Sequence, residues 1–350
     1  MAFSSAELAN IANAALDYYI DRGTVYANSL QDKPLLAAMD KSAKTFPGGK
    51  ENVSMAVKGT YTTTVSGYTH NDTVSYANPA NIQRVNYAWK EHHAGISLTL
   101  TELKKDGISV TDSLNSASTS NHSGRDATVL ANLLEDKLDD MMEGYSRGMN
   151  DLLYGDGSGS ATALAGIRSI IVDDPSASGT TVGGLSTVTN TWWRNRANVA
   201  ISTTSSGQEL IELLHSEMRQ LKRFGGKPTL ALAGSAFLDR LADELRRNGN
   251  YSNTGFARNQ DISMGEINYN GMVFQYDPTL DDLTISGKDP SKRCYIMDPS
   301  KMYLHYMDGE KMKRHAPARP ATQYVMFRAI TTTAVLCASQ LNCHGVYEIS

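Results

Sequence analysis

The sequence predicts an α+β chain, and three observations predict it. Residues 52–103 are rich in β-favouring side chains at period two, arranged around a polar stretch. Residues 125–154 carry apolar side chains at three- and four-residue steps, the helical period. Beyond residue 206, helix-period segments alternate with short apolar runs of strand length. No self-similar repeat is visible, which removes solenoids and propellers.

The 350 residues are enough for one large or two medium domains with a sizeable core. Hydrophobic residues make up 41% and charged residues 20%, a balance that belongs to an ordered globular chain and not to a disordered one. The net charge of −4 means that the chain as a whole is no polycation built to grip nucleic acid, so contact with DNA would need a local patch. Three cysteines, Cys294, Cys337 and Cys343, form no CxxC pair and leave an odd thiol. That pattern argues against a disulfide framework and a zinc site and predicts buried reduced thiols. The start, Met-Ala-Phe-Ser-Ser-Ala-Glu, lacks the basic and apolar regions of a signal peptide. With no long uninterrupted apolar run there is no membrane span to predict, and a soluble protein made in a cytoplasm is expected.

Taken in order, residues 5–21 read as an amphipathic helix with Leu8, Ile11, Ala15, Leu16 and Tyr19 on one face and Gly23 as its stop. Residues 34–41 read as a second short helix with Leu35, Leu36 and Met39 as its stripe. Neither is long enough to stand alone in water. Val53, Met55 and Val57, then Tyr61 to Val65, begin one β leg. The Gly/Asn/Thr/Tyr-rich residues 67–79 read as a tip, and 82–103 as a return leg with Val85, Tyr87, Trp89, Ile96, Leu98 and Leu100. A hairpin of that kind is marginal by itself and is expected to lie on another surface. The segment 125–154 predicts a helix about 45 Å long at 1.5 Å per residue, ended by Gly155. Helices are expected over 206–224 and 236–247. Strands are expected near 230–233, 271–276, 293–297, 302–306, 323–327 and 334–337, with a last one at 346–349.

A search for chemistry returns no catalytic, cofactor-binding or metal-ligating constellation. The run Gly155-Asp156-Gly157-Ser158-Gly159 lacks the Gly-Lys-Ser/Thr ending of a phosphate loop and follows a helix where that motif requires a strand, so it reads as a flexible turn. There is no Gly-x-Ser-x-Gly elbow. His92 and His93 are adjacent and would point to opposite faces of a strand. The pairs Asp139/Asp140 and Asp281/Asp282 read as solvated carboxylates. Lys311, Lys313, Arg314, His315 and Arg319 form one basic cluster, read chiefly as a solvated or salt-bridged stretch that could meet nucleic acid or an acidic partner.

The order of parts is more informative. Asn150-Asp151-Leu152-Leu153-Tyr154-Gly155-Asp156-Gly157 closes the long helix. Ala165-Gly166-Ile167, Ile170-Ile171, Gly179-Thr180 and Gly183-Gly184 follow, then Trp192-Trp193-Arg194-Asn195. This series, with the arm, hairpin and long helix before it, resembles the major capsid proteins of tailed double-stranded DNA bacteriophages with the HK97 fold. The resemblance covers nearly the whole chain.

What it implies is an N-arm over 1–47, an extended E-loop over 48–111, and a P-domain over 112–184 whose spine helix spans about 125–154. An A-domain over 185–320 and C-terminal strands over 321–350 returning to the P-domain complete the scheme. It implies a structural protein, not an enzyme, that assembles with itself as pentamers and hexamers into an icosahedral virion shell around double-stranded DNA. It also implies a separate scaffolding protein, a portal and a decoration protein as candidate partners, non-specific DNA contact, no membrane, and assembly in the host cytoplasm. The assembly residues it points to are Trp192, Trp193, Arg194, Asn195, Gly155, Gly157, Tyr68, Tyr76 and Pro79. Trp192 and Trp193 are expected to brace the junction between P- and A-domains. The rivals are an encapsulin-like nanocompartment shell, which a co-purifying cargo enzyme would reveal, and a tail or adhesin module that binds glycans without forming particles.

Overall fold

Two apolar cores share one sheet, and the alternation of its strands decides which side chain enters which core. The computed structural model describes residues 3–4, 33–48, 50–61, 63–74, 76, 81–105, 110–111, 124–203, 207–247, 262–263, 266–315 and 325–350. The expected helix over 5–21, Arg319 and Pro79 lie outside these residues.

The sheet in question has seven strands in the order Ile262–Ser263, Glu266–Tyr269, Met272–Tyr276, Leu230–Ala233, Arg293–Met297, Gly345–Ile349 and Arg196–Ile201. Ala231, Ala233, Cys294, Ile296 and Tyr347 point to a core with the helices Glu209–Lys222 and Ser235–Arg247. Leu232, Tyr295, Met297 and Val346 point the other way, into the core shared with the rest of the chain. Burial on both faces explains why these strands read as continuous apolar runs and not as alternating ones.

The second sheet is built around one 14-residue strand, Val325–Ala338. Met302–Met307 and Lys313–His315 pair along one edge of it and Lys90–Thr99 along the other, while Lys44–Phe46 pairs with Met302–Met307. The two expected strands at 323–327 and 334–337 are therefore one. Thr331, Thr332 and Thr333 continue the strand because β-branched side chains suit it, and Thr332 Oγ1 meets Tyr145 Oη at 2.8 Å on the long helix.

That helix spans Gly124–Tyr154 and buries Leu138, Met141, Met142, Tyr145, Met149 and Leu153. Pro34–Lys41 forms a helix where one is expected, with Pro34 at its first position, where no intrahelical N–H is needed. It docks through Leu35, Leu36 and Met39. Its Leu36 N–H donates to Asn150 Oδ1 at 3.1 Å, and Lys33 pairs with Glu143 at 3.0 Å.

Three expectations need correction. The first β leg ends at Lys58: Asn52–Lys58 pairs with Ile82–Ala88, and no described residue between them is in a strand. Tyr61 and Val65 are exposed, so no buried face holds a ladder there. The return leg is also not one strand. Ile82–Ala88 belongs to the hairpin, whereas Lys90–Thr99 leaves it for the long strand, and Leu100–Lys105 is helical. Thr99 and Glu102 form a capping box there: Glu102 N–H donates to Thr99 Oγ1 at 3.2 Å and Thr99 N–H to Glu102 Oε2 at 3.0 Å. Lastly, the tail Gly345–Ile349 does not return to the sheet on the long helix. It pairs with Arg293–Met297 and Arg196–Ile201 inside the seven-stranded sheet, where Val346 and Tyr347 serve both cores.

Candidate assembly surface

The hairpin leaves the body as an arm. Val53, Val57, Val85 and Tyr87 bury its root. Beyond Lys58 and before Ile82 every described large apolar side chain is exposed: Tyr61 is 80% exposed, Val65 fully, Tyr68 73%, Val74 47% and Tyr76 94%. Solvent-facing aromatics at such density on one projection mark a contact surface more often than a solvated loop. Of the tip residues singled out from the sequence, Tyr68 and Tyr76 belong to this group and Pro79 lies outside the described residues.

Several contacts fix the root. Tyr87 Oη donates to Ala338 O at 3.2 Å, Tyr303 Oη donates to Met55 Sδ at 3.6 Å, and Asn86 N–H donates to Gly183 O at 2.9 Å. Gly183 has φ +62°, and a Cβ there would lie 3.0 Å from Val85 Cβ, so only glycine fits both the turn and the approach of the hairpin.

The Trp-Trp-Arg-Asn segment lies beside this root. Trp193 is 1% exposed and its Nε1 donates to Val182 O at 3.1 Å. Trp192 stands edge-on to it, with ring centroids 5.8 Å apart, and is half-buried. Arg194 donates from Nε to Thr187 O at 2.7 Å and from Nη2 to Val188 O at 3.2 Å. Asn195 accepts from Val172 N–H at 3.2 Å and donates to Val172 O at 2.8 Å and Arg196 O at 3.0 Å. Its amide substitutes for a strand partner. Arg194 and Asn195 close the segment from Val172 to Arg196 into one unit, with Trp193 as its core.

The glycines Gly155 and Gly157 shape the end of the long helix. Gly155 N–H donates to Leu152 O at 3.0 Å, and Gly157, at φ +75°, approaches Ala165, where a Cβ would come within 3.0 Å of its Cα.

Two buried networks that the sequence reading missed tie the long helix and the segment after it to the seven-stranded half. Asp277 accepts from Tyr154 Oη at 2.7 Å and from Thr279 N–H at 3.0 Å, and burial raises its carboxyl pKa. Arg293, fully buried, meets Asp173 at 3.0 Å and Glu348 at 2.6 Å, and Asp173 also pairs with Lys288. A sequence signal for the turns was present. Asp-Pro-Ser or Asp-Pro-Thr occurs at Asp174, Asp277, Asp289 and Asp298, and each aspartate accepts from the N–H two residues on. This is the Asx turn that such tripeptides favour. Asp281 is exposed, as expected, and also accepts from Ser235 N–H and Tyr276 Oη.

The remaining polar candidates are disposed of by geometry. His92 is half-buried and His93 exposed, on opposite faces. In the basic cluster Lys311 pairs with Asp40 and Lys313 with Glu310, while His315 lies 2.7 Å from Thr331 Oγ1. Cys343 Sγ lies 3.5 Å from His344 Nε2, a spacing that superficially suits a nucleophile and base. However, His344 Nδ1 accepts from Asp298 N–H at 3.2 Å, so the neutral ring carries its proton on Nε2 and faces the sulfur as a donor. Burial lowers the His344 pKa to about 4 and raises the Cys343 thiol to about 12. The pair is inert at neutral pH. All three cysteines are buried free thiols. Among the described residues no group of three or more His, Cys, Asp or Glu could hold a metal, and no helix is long and apolar enough to cross a membrane.

No protein-family model and no curated protein matches the sequence. Solved structures do. A capsid asymmetric unit of cyanophage A-1(L) superposes with a TM-score of 0.61 at 14% identity, over 91% of this chain and 92% of that one. The mature capsid of bacteriophage PhiM1 gives 0.54 at 10% identity, over 88% and 85%, and the capsid of an empty GTA particle 0.51 at 11%, over 90% of both. Coverage from end to end at such low identity is agreement of architecture. The chain has the fold of phage capsid subunits, the HK97-like α+β architecture that its order of parts resembles.

Proposed function

We propose that the chain is the shell-forming subunit of a phage capsid, assembling with itself as pentamers and hexamers around double-stranded DNA. The observation that carries the reading is the projecting hairpin. Its root is locked by Tyr87, Gly183 and Trp192, while its tip leaves Tyr61, Val65, Tyr68 and Tyr76 exposed. A two-stranded ribbon is marginal by itself, and one whose connecting segment exposes aromatics gains stability by lying on a second subunit. One surface reaching a different surface on the next copy is a heterologous contact, which closes into rings. Capsid fold and arm together favour a shell over an adhesin module.

In this reading Trp192, Trp193, Arg194 and Asn195 hold the arm at its angle to the body, and Gly155 and Gly157 shape the loop that follows the long helix. A separate scaffolding protein, a portal and a decoration protein are the expected partners, with DNA met non-specifically and assembly in the host cytoplasm. Sedimentation of the purified 38.1 kDa chain tests the first step. Discrete species of five or six copies support the reading, and a monomer at all concentrations contradicts it.

A further inference from the structure

A cleft of about 860 Å³ opens between the arm root and the seven-stranded half. That size falls within the span of about 300–1,000 Å³ usual for small-ligand pockets. Three aromatic rings from separate parts of the chain line it: Tyr61 after the first hairpin strand, Trp192, and Phe224 just beyond the helix Glu209–Lys222. Tyr61 and Phe224 are exposed and Trp192 is half-buried, so all three keep ring surface outside the core. Two cations stand with them. Lys58 Nζ lies 4.8 Å from the Tyr61 ring centre, and the Arg223 guanidinium 5.4 Å from that of Phe224.

Among the described residues that line the cleft there is no carboxylate. The carboxylates at its border are engaged, Glu217 with Arg196 at 2.6 Å and Asp174 with Ser176 N–H at 2.9 Å. Arg194 is also in the wall but is occupied by the carbonyls of Thr187 and Val188, which leaves Lys58 and Arg223 as the groups that can meet an anion. Both are exposed, and the last turn of the helix before Arg223 adds Arg219 and Lys222, exposed as well. The rim is therefore positive in a chain of net charge −4. Gln220, Gln340 and Asn342 place side-chain amides in the same wall.

An anion by itself would use the cations and not the rings, and an apolar molecule the rings and not the cations. A ligand that joins a flat π face to a negative group uses both. We propose that the cleft binds a nucleotide unit, with the base against the aromatic wall and the phosphate on Lys58 and Arg223. Aromatic platforms beside a positive groove hold unpaired nucleotides with little sequence preference, and side-chain amides suit the hydrogen-bonding edge of an unpaired base. A free nucleotide and a nucleotide in a single strand present this same chemistry. A duplex offers its phosphates but keeps its bases stacked on one another. The site needs no second copy of the chain, so it stands or falls apart from the shell reading.

The test titrates the full-length chain by calorimetry and tryptophan fluorescence. The probes are AMP, adenosine, inorganic phosphate, an oligodeoxyadenylate of about ten nucleotides, and its duplex with oligothymidylate. AMP should bind saturably and about tenfold or more tightly than adenosine or phosphate. Lys58→Gln with Arg223→Gln should weaken AMP about tenfold and leave adenosine unchanged. Tyr61→Ala with Phe224→Ala should weaken AMP about tenfold and leave phosphate unchanged. Melting of each variant checks its fold, and photo-cross-linking of azido-AMP to the parent chain, expected within residues 58–61 and 220–224, needs no variant. A single strand that binds more tightly than AMP and weakens as salt rises identifies a strand as the source; one that does not identifies the free nucleotide. The proposal is overturned if neither AMP nor the single strand binds saturably, or if the cross-links map elsewhere. Phosphate as tight as AMP, or duplex as tight as single strand, also overturns it, because the site would then read charge without a base.

Discussion

The indole of Trp192 fills the space that a side chain on Gly59 would need: a Cβ on Gly59 would lie 1.8 Å from Trp192 Cδ2. Gly59 is where the hairpin strand has just ended, and Trp192 rests on Trp193, which Val182 O holds. The direction of the arm is thereby set by a ring against a backbone. Gly59→Ala is expected to cost about 1–3 kcal/mol by overpacking. In Trp192→Ala the same substitution should cost much less, giving a coupling of about 1 kcal/mol or more. Urea denaturation of the unassembled single and double variants measures this, and additive effects would count against the clamp.

Trp193 and Asn195 are expected to separate packing from hydrogen bonding. Trp193→Ala removes a fully buried indole and should cost about 3–5 kcal/mol. Asn195→Ala leaves the N–H and C=O of Val172 without their partners and should cost about 1–3 kcal/mol. Trp192→Ala, at a half-buried site, should cost less than Trp193→Ala. Thermal melts rank the three.

Tyr68 and Tyr76 are exposed at the tip and touch no core. Tyr68→Ala with Tyr76→Ala is expected to change stability by less than about 0.5 kcal/mol while reducing the yield of assembled species. Melting and sedimentation on the same sample distinguish the two effects. Equal loss of both would place the tip in the fold and not in a contact.

His344 gives a pH signature. Its pKa falls from 6.5 to about 4 through burial. Between those values the unfolded chain binds a proton that the folded chain does not. Its contribution is therefore fully present above pH 6.5 and is lost as pH falls through about 4, to the extent of about 3 kcal/mol. His344→Gln should flatten the dependence of melting temperature on pH in that window. A slope unchanged from the parent chain would contradict the assignment.

Local pattern made much of this legible. Pro34 and the Leu35/Leu36/Met39 stripe specify their helix, and the three- and four-residue apolar steps specify Gly124–Tyr154 with Gly155 as its end. Runs such as Leu230–Ala233 and Arg293–Met297 are visible as strands because both faces are buried. Pairing was not legible, because partners distant in sequence decide it. Nothing local tells Lys90–Thr99 to leave the hairpin for Val325–Ala338, or Gly345–Ile349 to enter the seven-stranded sheet. The helix Leu100–Lys105 was written in Thr99 and Glu102, but an apolar residue at every second position through Ile96, Leu98 and Leu100 masked the capping box. At the site, Trp192 to Asn195 stood out by composition. That Trp192 would meet Gly59, more than 130 residues earlier, could come only from the fold.

The most direct measurement is negative-stain microscopy of the purified chain, alone and co-expressed with the genes that flank its own. Rings of five- or six-fold symmetry, or closed shells of uniform diameter, are the predicted result. Dispersed single subunits under both conditions would contradict a shell-forming role.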